Sequence, residues 1–290
     1  MADYVIVTDS SCDLPNELAK ELELVVLPLS FHLNGKEYHN YLDEREMPIG
    51  EFYRRIRAGE PCTTSAVNVD AYKSAMEPLL QQGVDILDIA FSSGLSATYS
   101  SAKIACEELA EKYPGRKVFA VDTLAASLGQ GLLIYLAVQM KRAGKSIEEV
   151  RGWVEENKLR LCHWFTVDDL NHLKRGGRIS GATALFGTML NIKPVLHVDD
   201  EGHLIPMGKV RGRRASLDAL ADHMEQSADD PASQTVFISH GDCREDAEYL
   251  AGEIKRRMGV KNFVIGNVGP VIGTHSGPGT MALFFLGSKR

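Results

Sequence analysis

The residues of this chain with the most evident capacity for chemistry lie in the stretch 272–285, I-G-T-H-S-G-P-G-T-M-A-L-F-F. His275 stands there between Thr274 and Ser276, among Gly273, Gly277, Pro278 and Gly279, and the apolar run 281–286 follows at once. Glycine lacks the Cβ that holds a backbone away from a ligand. A turn built this way lets N–H groups and one side chain converge on something small and polar. An imidazole in that place can act as a base, as a covalent acceptor or as a donor to a carboxylate.

Other constellations could join it. Residues 92–98, S-S-G-L-S-A-T, fall between a strand pattern and a helix pattern. Hydroxyls and free N–H groups at a helix N-terminus form an anion site, and the same residues serve equally as helix caps. Thr63, Thr64 and Ser65 follow a proline and precede a helix pattern, where capping is the plainer reading. Asp9, Ser10 and Ser11 end the first strand pattern; an ordinary Asp-Ser turn accounts for them. Arg175-Gly176-Gly177-Arg178 brings two guanidinium forks to one turn, suited to carboxylate or phosphate, or simply to a solvated helix end. Residues 209–214, K-V-R-G-R-R, are the strongest basic run, readable as an RNA contact, a docking surface for a phosphate-bearing partner, or a solvated edge. The chain has neither a G-x-S-x-G nucleophile elbow nor a G-x-x-x-x-G-K-[ST] phosphate loop.

The elements that must position these groups alternate in the first half. Strand patterns at 4–8, 24–31, 85–91 and 117–121 each end in polar residues. Helix patterns follow from Pro15, at 47–58 and 69–82, after Ser96, and at 128–142. Repeated strand, polar turn and helix predict a parallel sheet with helices on both faces, and such sheets bind ligands at strand C-termini. The second half predicts an α+β arrangement: helices at 164–174 and 182–190, a hairpin of 193–198 with 203–209 around D-D-E-G, a helix at 215–226, a strand at 235–239, a helix at 245–258, a strand at 262–266, and then the His275 loop. The acidic stretch 227–233 reads as a loop. The expected division is a domain at 1–155 and a second at 156–290.

The chain has 290 residues, 44% hydrophobic and 24% charged, with a formal net charge of −7. That is apolar enough for a core and too apolar for a disordered chain. The acidic balance argues against a general nucleic-acid binder. Cys12, Cys62, Cys106, Cys162 and Cys243 show no metal-ligand spacing and read as reduced thiols in a cytoplasmic protein. No charged-then-apolar leader precedes the first strand pattern. The longest apolar helix segment, 131–140, is about half the roughly 20 residues of a membrane span, so no integral membrane association is expected.

Taken in order, T-D-S-S-C-D-L-P at the start, T-S after Pro61, L-S-A-T-Y, L-K-R-G-G-R-I-S, K-V-R-G-R and H-S-G-P-G resemble the DegV family, whose best-understood members are the fatty-acid-binding subunits of bacterial fatty acid kinase. The resemblance covers nearly the whole chain. It implies two α/β domains enclosing an acyl chain in an apolar tunnel between or within them, and a carboxylate held at the mouth. By it, Thr64 and Ser96 match the hydroxyls that hold the carboxylate, with Ser65, Ala97 and Ser276 beside them, and His275 matches the neighbouring histidine. Arg178 or Arg175, together with Arg211, matches basic residues at the mouth that serve binding, phosphoryl transfer or partner contact. It further implies a lipid carrier with no catalysis of its own, no metal and no cofactor. The ligand would be a long-chain fatty acid such as palmitate, stearate or oleate, presented to a separate ATP-binding kinase subunit that makes the acyl-phosphate.

Two departures fall near the head-group site: Ala66-Val67 follow Thr64-Ser65 where the family often has Gln-Pro, and Ala97 stands where glycine is usual. Neither removes a hydroxyl. For the tunnel walls, 182–190 and 281–286 are the expected linings, although core packing explains both equally. Burying about 14–16 methylenes at roughly 0.8 kcal/mol each supplies ample gross affinity for a closed tunnel. The competing readings are a stand-alone phosphotransferase or hydrolase using His275, and a nucleic-acid-binding regulator using 209–214.

Overall fold

The computed structural model describes residues 4–179, 191–288 and 290. Its first half runs β1 (Tyr4–Asp9), α1 (Asn16–Glu21), β2 (Val25–Leu27), β3 (Ser30–Leu33), β4 (Lys36–His39), α2 (Ile49–Arg57), β5 (Cys62–Ser65), α3 (Val69–Gln81), β6 (Asp85–Ala90), α4 (Thr98–Lys112), β7 (Val118–Asp122), α5 (Leu128–Arg142) and α6 (Ile147–Asn157). Strands β2-β1-β6-β7 form the parallel sheet that the alternation predicts. β6 is buried along its whole length because α3 and α4 cover one face while α5 and α6 cover the other.

The stretch 24–31, expected as one strand, is two. Pro28 intervenes, β2 stays in the parallel sheet, and β3 leaves to form a separate antiparallel sheet in the order β4-β3-β5. That small sheet corrects a second expectation, because Thr63–Ser65 are strand residues rather than a cap. Thr64 pairs with Phe31.

The second half runs β8 (Leu161–Thr166), α7 (Asn171–Arg175), β9 (Ile192–Val198), β10 (Leu204–Arg211), α8 (Arg213–Ser227), β11 (Thr235–His240), α9 (Arg244–Met258), β12 (Asn262–Asn267), α10 (Pro270–Ser276) and β13 (Met281–Leu286). Six strands form a mixed sheet in the order β10-β9-β8-β13-β11-β12. The β9–β10 hairpin is antiparallel, as its acidic-glycine turn predicts. The helix expected at 164–174 is instead the end of β8 followed by the five residues of α7. A short apolar run such as L-C-H-W-F-T satisfies either period, and here both faces are buried. The helix expected at 182–190 lies outside the described residues.

One face of the mixed sheet packs on α8 and α9. Phe165, Phe237, Ala282 and Phe284 on its other face pack with α5 residues such as Leu128, Leu132 and Leu133. α5 therefore lies between the two large sheets and shares one apolar core with both. No helix among the described residues is long and apolar enough to cross a membrane.

Candidate functional site

His275 is carried by a helix, not by a glycine-rich loop. Pro270 fits the first turn, where its missing N–H costs nothing, and Gly277 ends α10 with φ 80°. His275 occupies the last turn. Thr274 and Ser276 spend their hydroxyls on their own helix, donating to the carbonyls of Pro270 at 2.8 Å and Ile272 at 3.2 Å. Ser276 thus reaches the site as a buried wall, with its hydroxyl already engaged.

The helix brings the imidazole onto β5. His275 Nε2 and Thr64 Oγ1 are 2.8 Å apart, joining residues 211 positions distant in the sequence. On the other side the ring rests on the α7 turn. A Cβ added to Gly176 would come within 2.2 Å of His275 Nδ1, so any larger residue there must displace the imidazole. Nδ1 is buried and has no hydrogen-bond partner among the described residues. Burial, reinforced by the positive charge of Arg178, lowers the His275 pKa to about 4. The ring is neutral near pH 7, with one N–H and one lone pair.

Behind this pair is a cavity of about 230 Å³. Thr64, Ser65, Ser96, Ala97, His275 and Ser276 all line it, as does Arg178. The rest of the lining is mostly apolar and comes from several elements, including Leu29, Phe91, Leu95, Phe165, Leu173, Val271 and Ala282. Of the expected wall 281–286, Ala282 lines the cavity, and the run as a whole is the buried strand β13. Of the residues that depart from the family pattern, Ala66 and Ala97 face this space, while Val67 is not among its lining.

Ser96 stands at the entrance to α4. Its Oγ accepts from the Thr98 N–H at 3.2 Å and lies 2.9 Å from Thr98 Oγ1, so it caps the helix and lines the cavity at once. The capping and ligand readings of this loop are compatible. The loop is pinned from the other half of the chain: Ser92 Oγ donates to the Gly202 carbonyl at 3.0 Å.

A second, outer chamber of about 480 Å³ shares Thr64, Arg178 and His275 with the inner one. His172, Arg175, Cys62 and Thr274 also line it. Arg175 Nη2 and His172 Nδ1 are 3.0 Å apart, and Arg178 donates to the Gly176 carbonyl. The wall of Thr64, His275 and Arg178 therefore separates an apolar interior from a basic exterior. Arg211 lines neither chamber; it ends β10, opposite Ile192. Among the described residues, no group of three or more His, Cys, Asp or Glu is placed to hold a metal.

Sequence reasoning missed His163, Ser127, Ser239 and Thr280 in the cavity lining. The first lacks the glycine- and hydroxyl-rich surroundings that mark His275, and the expected helix starts one residue after it. The others look like unremarkable serines and threonines at element ends, and only the topology assembles them.

Comparison with known proteins agrees with this architecture. A family model described as an uncharacterised protein of the DegV family matches residues 3–288. A DegV domain-containing protein of Clostridium perfringens is 49% identical over 290 residues, covering 100% of this chain and 99% of the relative. A solved DegV family protein of Thermus thermophilus, described as binding fatty acid, is 31% identical, with a TM-score of 0.86 over 98% of this chain and 99% of that one. A stearic-acid-binding protein of Eubacterium ventriosum is 25% identical, with a TM-score of 0.88 over 98% of each chain. With the family pattern matched along almost its full length and its fold shared with solved members, this chain belongs to the DegV family.

Proposed function

We propose that this protein binds a long-chain fatty acid such as palmitate, stearate or oleate, with the acyl chain in the inner cavity and the carboxylate at the Thr64–His275 wall. One observation carries the reading: an apolar cavity ends at a neutral histidine bonded to a threonine, with an arginine beside them. With Nε2 protonated, His275 donates to Thr64 Oγ1, and the Thr64 hydroxyl proton is free to turn to a carboxylate oxygen. Arg178 supplies the compensating positive charge. Ser96 and Ser65 add hydroxyls at the same wall. Fatty acid binding described for solved relatives supports this reading.

In this reading the residues 1–155 and 156–290 are two domains that enclose the ligand, since Thr64 and Ser96 come from one and His275 from the other. The protein is a carrier acting in the cytoplasm. A separate ATP-binding kinase subunit approaches the outer chamber and phosphorylates the carboxylate, while Arg175 and Arg178 steady the phosphoryl group. Arg211, remote from both chambers, serves partner contact. A stand-alone hydrolase or phosphotransferase is less well supported. Its base would need an orienting partner on Nδ1, and that atom has none among the described residues.

Organic extraction of the purified protein followed by mass spectrometry tests the carrier role. A stoichiometric fatty acid is the expected result. Lipid-free protein that also fails to take up palmitate or oleate would sink the proposal. Acyl-phosphate formed only after addition of a kinase subunit and ATP would support the division of labour; ATP turnover by this chain alone would reverse it.

A further inference from the structure

The loop that carries Ser96 is set by a side chain outside the cavity. Ser92 follows β6 and is fully buried, yet it lines neither chamber. All of its polar groups are engaged. Its N–H donates to the Ala125 carbonyl at 3.0 Å, and its carbonyl accepts from the N–H groups of Leu95 and Ser96, each at 3.1 Å. Its Oγ accepts from the Gly94 N–H at 3.2 Å and donates to the Gly202 carbonyl at 3.0 Å. One residue therefore holds the backbone of Ser96 and, through its hydroxyl, grips the β9–β10 turn of the other half.

That turn is closely braced. Asp199 Oδ1 accepts from the N–H groups of Glu201 at 3.0 Å and His203 at 2.8 Å, and the Asp199 carbonyl accepts from the Gly202 N–H at 3.0 Å. Gly202 holds φ 81°, and a Cβ on it would lie 2.2 Å from Ser92 Oγ and 3.2 Å from Leu124 Cα. A Cβ on Gly94 would lie 2.8 Å from the Glu201 carbonyl oxygen. Backbone thus packs directly on backbone between the two halves. Arg290 Nη1 closes the junction, donating to the carbonyls of Asp199 at 2.8 Å and Leu124 at 2.9 Å. Asp122 Oδ1 joins the remaining segment to the loop, accepting from the N–H groups of Leu124 at 3.0 Å and Ser93 at 3.2 Å.

On its cavity side this junction presents Leu95, Ser96 and Ala97 from one half and Leu204, two residues past Gly202, from the other. Hydrogen bonds weaken steeply as distance and angle leave their optimum, so a hydroxyl that meets a carboxylate depends on the backbone beneath it. Resting on the fatty-acid reading above, we propose that Ser92 and Gly202 are positioning residues: their bond lets the second half of the chain set the Ser96 hydroxyl against the carboxylate. Residues that act through Ser96 lose their effect once its hydroxyl is gone, whereas a junction that only holds the fold together acts independently of it.

A double-mutant cycle tests this, with palmitate titrated into the wild type, Ser92→Ala, Ser96→Ala and the double variant. Ser92→Ala should weaken palmitate binding about fivefold or more when Ser96 is present and less than about twofold when it is alanine. Gly202→Ala, which pushes the turn off Ser92, should show the same dependence on Ser96. Equal fold-losses in the two backgrounds, or no loss in either, would overturn the positioning role and leave the fatty-acid reading standing. If the wild type binds no palmitate, that reading falls and the positioning role with it; if Ser96→Ala alone leaves affinity unchanged, Ser96 is no head-group ligand and the positioning role falls by itself. Should Ser92→Ala fail to fold, the Gly202→Ala cycle decides. Should neither fold, the junction serves stability and the inference is wrong.

Discussion

At the scale of single residues, the account rests on a neutral histidine. An unfolded histidine protonates near its ordinary value of 6.5, whereas folded His275 does so only near pH about 4. Between those values the unfolded state binds more protons, so stability falls as the pH is lowered through the window. His275→Gln removes this dependence. Denaturation at pH 6.5 and at 4.5 should show an acid-induced loss smaller in the variant by about 2–3 kcal/mol; equal losses would contradict the assignment. Thr64→Val keeps the volume and deletes the hydroxyl between His275 and the ligand. Fatty acid affinity measured by titration should drop by about 1–3 kcal/mol, and an unchanged Kd would remove Thr64 from the site. His275→Ala should lower acyl-phosphate formation in the presence of a kinase subunit more than it lowers fatty acid retention. The apolar chain dominates affinity, while His275 acts where the charge changes. Equal loss of both would overturn that split.

At the scale of elements, the wall depends on the close approach of α7 to α10. Gly176→Ala inserts a methyl where His275 Nδ1 lies. It should displace the imidazole, weakening fatty acid binding about tenfold or more while leaving far-UV circular dichroism intact. Normal binding would show that the ring position is unimportant. This scale also shows what the sequence made legible. The helix α10 was signalled by Pro270 and Gly277, a proline at the start and a glycine past the end, but the density of glycine around His275 suggested a loop instead. The β9–β10 hairpin and the parallel sheet could be read because turn residues and apolar runs are local signals. The pairing of β5 with β3 could not, since it joins Thr64 to Phe31 through long-range hydrogen bonds with no local signature. His275 stood out by its glycine-rich surroundings, whereas Thr64 and Ser96 were picked out among many hydroxyls only by the family resemblance. His163 and Ser239 did not stand out, because within a strand only the packed sheet decides which residues face a cavity.

At the scale of the whole molecule, the two large sheets share α5 and one core. The Arg290 guanidinium adds a polar tie, donating to the carbonyls of Leu161 at 3.0 Å, Leu124 at 2.9 Å, Asp199 at 2.8 Å and Lys158 at 2.8 Å. A shared core predicts that urea unfolds the protein in one transition by fluorescence and by circular dichroism alike; two separated transitions would show that the halves fold independently. The same architecture explains why the cavity is composite. Its polar wall is made where β5, from the small sheet, meets α10, from the far end of the chain, and its apolar lining comes from strands of the mixed sheet and from the segments that follow β2 and β6, such as Leu29 and Phe91. The measurement that tests this most directly is a crystal structure of the protein with palmitate. The account predicts a carboxylate oxygen within hydrogen-bonding distance of Thr64 Oγ1, with the acyl chain running inward past Phe165 and Ala282. Palmitate bound elsewhere, or with its carboxylate directed away from the Thr64–His275 wall, would contradict it.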